Sequence, residues 1–574
     1  MTIRDLILAV NRMGVTGMGS AVEERRGGAA PAEHDVLVVG AGPVGMMAAC
    51  ELLRRGVRVR LVDRAPEPSP FPKALLMWPR SLDLFEDLGA LDELRGAGLD
   101  INAFSYYSDR DLLATFPFTP SLAPVCLPQN STEDVLRGVL TRLGGTVERG
   151  VRLLNFDGLD FSGRVDATDG VTAILEHADG RVERSRSAFV IGADGAGSTV
   201  RSLIGTGFTG STYESAFALV DAHIEGSLPR DQALYYQSPA GALVIVALPD
   251  GVFRFFSSLA PGEAVSVESM QRIVDERGPA GVRIVDPVWE SVFRVHARHA
   301  NDFQLGRVFI AGDAAHIHSP AGGQGLNTGL QDAHNLAWKL AAVLRGEAPS
   351  DLLLSYGPER SSVAHQVVRD TDVQTRAWMV KQRGKVAVRD AAFRLSDRTG
   401  VMARLYAPVM AGRRIAYPVV RDSQRPGDRG ASCRLLGRLP GRLRVGAVFP
   451  RELAVPLGIA GPGSDPMGWS LVVVRPSSAP GWRARLAAVT ADRPGLRLAD
   501  LPLATARRVT GCGRQGYYLV RPDGHVAAHG HAGDAERLRA ELTAVLGAPD
   551  ATGATGPARP GAAARRAAAD PVAS

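Results

Sequence analysis

Three carboxylates stand out by their position. Asp63, Asp194 and Asp313 each follow a short apolar run ("VRVRLVD", "FVIGAD", "VFIAGD"), and Asp194 and Asp313 sit directly beside glycines. Ligands of open α/β sheets bind at the carboxyl ends of the strands, so these acids point to binding of a polar ligand. The first has the most telling surroundings. "DVLVVG" (Asp35 to Gly40) is a β-branched run suited to a buried parallel strand, and Gly40, Gly42 and Gly45 form one GxGxxG. Gly40 permits the tight turn, Gly42 lets a pyrophosphate approach the backbone, and Gly45 lets the next helix pack on the strand. A helix from Pro43 to about Arg55 then points its N-terminus at the phosphates. Asp63 ends the next strand, Val57 to Asp63, eighteen residues after Gly45, where a ribose hydroxyl is expected. An acid there, rather than an arginine, argues against a 2′-phosphate. FAD and NAD both remain open at this point.

The stretch after Asp313 favours a flavin. It carries Gly322, Gly323 and Gly325 and then a helical stripe of Leu326, Leu330, Ala333, Ala337, Leu340 and Leu344, closed by Gly346. A helix N-terminus carries roughly +0.5 charge. A reduced flavin is anionic along its pyrimidine edge and needs such a partner, whereas a nicotinamide does not. His316 and His318 form an HxH beside Asp313, but a metal needs more ligands than are visible there.

The elements that position these groups follow from patterning. A chain of 574 residues with 45% hydrophobic and 22% charged residues suits two or three globular domains. After Asp194, "FALVDAHIEGSLP" and "ALVIVALPDGVFRFFSSLA" alternate like antiparallel strands. From about residue 430, "GWSLVVVRPS", "GYYLVRPDGHVAAHG" and "DAERLRAELTAVLG" read as strands and a last helix. The four cysteines are scattered with no CxxC, so neither a disulfide framework nor a zinc site is expected, and a reducing cytoplasm fits. The net charge of +6 is dispersed, so no nucleic-acid partner is expected, and no apolar run reaches membrane-spanning length.

Three motifs in this order, near residues 40, 194 and 312, resemble the group A flavoprotein monooxygenases, the para-hydroxybenzoate hydroxylase fold. The resemblance runs from about Asp35 to Arg360 and on to about residue 548. It implies a Rossmann-like α/β FAD-binding domain interrupted by an antiparallel β substrate domain, with a thioredoxin-like α/β domain at the C-terminal end. The implied boundaries are a disordered leader at 1–33, FAD-binding residues 34–205, a substrate sheet at 206–300 and FAD-binding residues 301–365. A helical linker at 366–429, the thioredoxin-like domain at 430–548 and a disordered tail at 549–574 follow. "VRPDG" (Val520 to Gly524) resembles the phenol-hydroxylase branch. Without CxxC that domain is expected to serve packing or homodimerisation, not dithiol chemistry.

Residue by residue, the resemblance implies that Gly40, Gly42, Pro43, Gly45, Asp63 and Arg64 bind the ADP part of FAD. Gly312 and Asp313 would hold the ribitol. Pro320, Gly323, Gly325, Leu326 and Asn327 would lie against the isoalloxazine, mostly through backbone groups. Asp194 would touch FAD and help with the nicotinamide nucleotide, and Gln129 in "LPQNSTEDVL" would contact the cofactor. The family often has an arginine in a "PRA"-like triplet; here Pro72-Lys73-Ala74 keeps the charge but loses the planar fork, and Arg80 is a second candidate for that role.

The implied activity is hydroxylation of a phenolic or polycyclic aromatic substrate with FAD, NADPH or NADH, and dioxygen, through a flavin 4a-hydroperoxide that must be kept dry. It suits secondary metabolism or aromatic degradation. The alternatives are Baeyer–Villiger-type or other oxidative tailoring of an aromatic polyketide, and a non-catalytic flavin-binding interaction protein. No catalytic base is assigned. Tyr213, Tyr235, Tyr236, Arg254, His296 and His318 are polar residues in or near the right regions, each expected to be structural.

Overall fold

The computed structural model describes residues 34–546 apart from 260–262, 379, 381, 419–442, 477–479, 494 and 532–533. The leader and the tail expected at 1–33 and 549–574 lie outside the described residues.

The apolar run Val36–Val39 is fully buried and forms the centre of a six-stranded sheet. Its neighbours are Phe189–Gly192 on one side and Val59–Asp63 on the other, both parallel. Val308–Ile310 pairs parallel beyond Phe189–Gly192, and Val147–Arg149 beyond Val59–Asp63. The three strands that end near Gly40, Asp194 and Gly312 are therefore adjacent. Their carboxyl ends open on one edge, although the chain between them runs for hundreds of residues.

The helix Pro43–Leu53 starts on a proline, whose missing N–H costs nothing in a first turn. It packs beside the helix Gly325–Leu344 through a bond between His334 and Glu51. The sequence predicts one apolar stripe on Gly325–Leu344, but the structure buries Asn327 through Ala342 on every side. The reason is a second neighbour. The C-terminal domain covers the opposite flank, where Trp338 meets Trp469 edge-on and Asn335 donates to Asp523.

The substrate sheet has eight strands, and its range extends beyond 206–300. Ala103–Ser108 joins it parallel to Gln232–Ser238, and Asp111–Pro117 adds the outer edge. This hairpin lies inside the range assigned to the FAD-binding domain, because local alternation reports a strand but not the sheet it joins. Likewise no linker starts at 366: the helix Tyr356–Trp378 runs through without a break. Pro358 falls in its first turn, where proline is tolerated.

The C-terminal domain is a four-stranded sheet in the order Leu496–Pro502, Trp469–Arg475, Gly516–Val520, Val526–His531. The first pair is parallel and the other two are antiparallel. Two small cores flank it, one around Leu486 and Leu538, the other around Ala506 and Phe449. Among the described residues no helix is long and apolar enough to cross a membrane.

Candidate active site

The glycine loop is shaped by three different constraints. Gly40 has φ +103°, and a Cβ there would lie 2.4 Å from the Ala193 carbonyl oxygen, so a side chain is excluded twice. A Cβ on Gly45 would lie 1.8 Å from the Gly40 carbonyl oxygen, so helix and strand touch there. At Gly42 an added Cβ would meet nothing within 4 Å. The space above Gly42 is thus open, and the helix N-terminus beside it has no side-chain cap and no acid in its first turn. Unused backbone N–H groups and the helix dipole are available there to an anion.

The three acids gather around this opening. Asp63 accepts from the backbone N–H of Ala41 at 2.6 Å and of Ala65 at 2.8 Å, so its carboxylate is fixed at the loop's rim. Asp194 follows Ala193, which abuts Gly40 and Gly45. It accepts from Ser198 Oγ at 2.5 Å, Thr199 N at 2.7 Å and Val200 N at 3.1 Å. Asp194 therefore caps its own helix, Thr199–Leu203, and Arg201 of that helix donates to the Ala314 carbonyl at 3.0 Å. The second and third motifs are joined by that bond. Gly312 packs on Val44 of the first helix, bringing the third motif to the first.

Asp313 is open to solvent although protein surrounds it on most sides. That combination marks a cleft. Its carboxyl is pushed up from the ordinary value by desolvation, with His316 and Lys73 opposing. Beyond it, Pro320–Gly325 turns into the helix Gly325–Leu344, whose N-terminus again has no side-chain cap. Gly322 and Gly323 have φ +72° and +62°, and a Cβ on Gly323 would press on Leu76. Trp78 Nε1 donates to the Gly322 carbonyl at 2.8 Å and holds the turn from below. The residues present fit FAD: an uncapped helix start with open space for a pyrophosphate, an acid at the rim, a carboxylate in a cleft, and a second uncapped helix start.

A family model described as "FAD binding domain" matches residues 33–371, and one described as "Aromatic-ring hydroxylase, C-terminal" matches residues 469–549. The chain belongs to the FAD-dependent aromatic-ring hydroxylases. It is 33% identical over 550 residues to 6-methylpretetramide 4-monooxygenase of Streptomyces rimosus, covering 91% of this chain and 96% of that protein. It resembles the solved anhydrotetracycline hydroxylase OxyS from Streptomyces rimosus at TM-score 0.68 and 26% identity, over 90% of this chain and 99% of that one. The ternary complex of aklavinone-11 hydroxylase with FAD and aklavinone gives TM-score 0.65 and 27% identity, over 90% and 99%. This hydroxylase is thus an FAD-dependent monooxygenase, and NAD(P)H is the usual reductant in its family.

In this hydroxylase the remaining candidate residues fall into two groups. Lys73 is exposed and close enough to Asp313 and Glu133 for its charge to oppose the rise in both carboxyls, so it lies on the cleft. Gln129 bridges the cleft wall, accepting weakly from Ala74 N at 3.3 Å and donating to Glu133 at 3.0 Å. Glu133, buried and raised by desolvation, was not singled out by sequence; its only signal is its place four residues after Gln129. Arg64 and Pro320 are exposed, and Leu326 is half-buried.

Arg80 and Asn327 are committed elsewhere. Arg80 is buried, donates to the Asp523 carbonyl at 2.7 Å and pairs with Asp83, so it grips the C-terminal domain. The amide of Asn327 is spent on Trp78 N, the Leu76 carbonyl and the Gly323 carbonyl, each at 2.8 Å. Its side chain orients the turn, and only its backbone is left for a ligand.

Arg254 is a clamp as well. It forms a two-pronged pair with Asp221, 2.7 Å on both sides, and donates to the carbonyls of Lys73, at 2.6 Å, and Pro72. The substrate sheet thereby sets the position of the Pro72-Lys73-Ala74 segment. Tyr235 and Tyr236 point to opposite faces, as neighbours on a strand must. Tyr235 stacks on Tyr106 at 4.8 Å facing the flavin loop side, and Tyr236 on Tyr107 at 4.5 Å facing away. Burial pushes both phenols up, so neither is tuned as a base near neutral pH.

His296 bonds Thr212 on the same sheet, and Tyr213 lies in the strand Phe208–Glu225. His316 belongs to a buried relay: Asp332 accepts from His316 at 2.7 Å, Gly312 N at 3.0 Å and Arg360 at 2.6 Å. His318 Nδ1 bonds the Ser319 carbonyl, and its ring packs against Gly325. Burial brings its pKa down to about 4, so the imidazole at this helix start is neutral.

Proposed function

We propose that this hydroxylase inserts one oxygen atom into a fused-ring phenolic substrate. The observation that carries the reading is the sheet face turned toward the flavin loop. Phe217, Phe256 and Phe293 form one stack at 5.1 to 6.3 Å, and Phe104, Tyr106 and Tyr235 lie on the same face in a buried aromatic cluster with Trp78. Phe256 and Phe293 are only half-buried. A face this rich in aromatic rings, with Phe256 and Phe293 reaching its surface, suits a large planar ring better than a single phenol. The 33% identical relative is named for 6-methylpretetramide and others for anhydrotetracycline, which supports the same reading.

Bound FAD supplies reduction by NAD(P)H and transfer of oxygen from dioxygen. The chain's own part is placement. We assign Gly40, Gly42, Pro43 and Gly45 to the pyrophosphate, Asp63 and Arg64 to the adenosine side, and Gly312 and Asp313 to the ribitol. Pro320, Gly323, Gly325, Leu326 and the Asn327 backbone would face the ring, with the helix dipole supporting negative charge there. Lys73 and Gln129 would close the cleft, and Asp194 would hold the motif that joins the two strand ends. The aromatic wall would keep water from the reacting carbon. We place the enzyme in the cytoplasm, where free thiols such as Cys50, Cys126 and Cys512 persist.

The test is NADH and NADPH oxidation by the holoenzyme with fused-ring phenols and single-ring phenols side by side, with products weighed by mass spectrometry under labelled dioxygen. One labelled oxygen on a ring carbon of a fused substrate is the expected result. Turnover confined to single rings would overturn the substrate class. Oxygen inserted next to a carbonyl would replace hydroxylation by the Baeyer–Villiger-type reaction.

A further inference from the structure

The sequence holds a second HxH motif, and among the described residues it brings three ligand atoms together. His529 and His531 alternate on the strand Val526–His531, so both project from the same face. Cys512 reaches that face from the turn after the helix Leu503–Thr510, where Gly511 takes φ +71° and reverses the chain. One ligand atom from each of the three lies within 4.8 Å of the other two. We propose that Cys512, His529 and His531 form a binding site for one Zn2+ ion in the C-terminal domain.

The donor set selects the ion. A thiolate with two imidazoles suits a borderline-soft cation such as Zn2+, and disfavours Mg2+ or Ca2+, which take oxygen. With Zn–S near 2.3 Å and Zn–N near 2.0–2.1 Å, tetrahedral ligands sit about 3.5 Å apart, within reach of side-chain rotation. Three protein ligands leave the fourth position to water.

The support around the ligands is also present. His529 Nδ1 donates to the Tyr517 carbonyl at 2.7 Å, which fixes the tautomer and leaves the Nε2 lone pair for a metal. Its ring is stacked on Tyr518 at 4.3 Å and held in orientation. Cys512 is 9% exposed, so an ion can reach it while the sulfur stays sheltered.

The position gives the site a structural job. Val526–His531 is an edge strand of its sheet, and the domain's apolar interior is divided into two small clusters. An ion held by Cys512 and the two histidines would staple the 511–515 turn to that edge.

The experiment uses the full-length, FAD-loaded enzyme, freed of metal with a chelator and dialysed against Zn2+, with bound metal counted by mass spectrometry. One Zn2+ per chain is expected, with a rise in the unfolding temperature. With Co2+ in place of Zn2+, ligand-field bands of a tetrahedral thiolate complex should appear to the red of the flavin absorption. Cys512→Ser should abolish those bands, and Cys512→Ser and His529→Gln should each weaken Zn2+ binding by at least about tenfold. Unchanged flavin content in both variants would confirm that they are folded. Wild-type enzyme that takes up no stoichiometric Zn2+, or a Cys512→Ser variant with wild-type affinity, would overturn the proposal. Rapid alkylation of Cys512 without metal uptake would also overturn it and leave a reactive thiol in its place.

Discussion

Gly42 and Gly45 lie three residues apart, yet alanine at each should fail in opposite ways. At Gly42 the backbone has φ −72° and ψ −176°, open to any residue, and a Cβ meets nothing within 4 Å. Gly42→Ala should therefore leave the apoprotein as stable as wild type, or more so by about 0.4–1 kcal/mol through the loss of unfolded-state freedom. The cost appears only when FAD arrives. A methyl group in the pyrophosphate's space lengthens one or two charge-assisted hydrogen bonds, each worth about 1.5–3 kcal/mol. Since each 1.4 kcal/mol is tenfold, the loss of one such bond should lower affinity by roughly 10- to 100-fold, and of two by more. At Gly45 the methyl would sit 1.8 Å from a backbone oxygen, so helix and strand must separate. Overpacking of that kind costs about 1–3 kcal/mol or more before any ligand is added.

Urea unfolding of the apoproteins and titration with FAD, followed by quenching of flavin fluorescence, separate the two. Wild-type FAD affinity in Gly42→Ala would refute the assignment of that space to the pyrophosphate. Apo Gly42→Ala unfolding earlier than wild type would show that the space is not open.

Asp313→Ala should purify largely colourless yet folded, because the carboxylate faces the cleft and not the core; a yellow, active variant would remove the ribitol assignment. Arg254→Met should cost about 3–5 kcal/mol in urea unfolding by leaving Asp221 buried and unpaired, and adding Asp221→Leu should recover most of it. FAD affinity should stay low in that double variant, because the carbonyls of Pro72 and Lys73 have still lost their donor. His318 has a folded pKa of about 4 against 6.5 unfolded, so between those values the unfolded chain binds the extra proton. Stability should therefore fall as pH drops from 6.5 toward 4, by about 3 kcal/mol from this group, and His318→Gln should flatten that part of the urea-measured profile.

Much of the cleft was legible because it is written in local signals. A β-branched run, glycines at fixed offsets and a strand-ending acid specify one βαβ unit, and each glycine has a steric reason that the structure bears out at Gly40 and Gly45. Side chains that act across long sequence distance were not legible. Arg254 reads as a lone polar residue in a strand; its meaning lies in Asp221 opposite and in two carbonyls 181 and 182 residues away. Arg80 reads as a phosphate ligand until a carbonyl 443 residues later claims it. Cys512 carries no spacing signal at all, since its partners come from a strand on the far side of a turn. The hairpin at 103–117 was not singled out in the sequence, and alternation by itself does not tell which sheet a strand joins.

The motif "VRPDG" shows why the C-terminal domain is more than an appendage. Arg521 donates to both Glu359 oxygens, at 2.6 and 3.0 Å, and pairs with Asp523 at 2.5 Å; Lys339 reaches Glu359 at 2.8 Å. All four side chains are buried or nearly so. Desolvation pushes Glu359 up and Lys339 down; the cations beside Glu359 outweigh the first and hold it well below the usual carboxylate range, while Lys339 comes down to about 8. On the other flank Arg451 pairs with Glu86 and Asp87, and Arg80 bonds the Asp523 carbonyl. Such pairs are poor sources of net stability, because desolvation consumes much of the Coulomb gain. What they enforce is one arrangement: any slip between the domains strands buried charges. On the helix whose N-terminus is assigned to the flavin ring, Asn335 donates to Asp523 and Lys339 shares Glu359 with Arg521, so the C-terminal domain grips the element that aims at the cofactor. Its contribution to the fold is to fix that helix, a role that needs no CxxC.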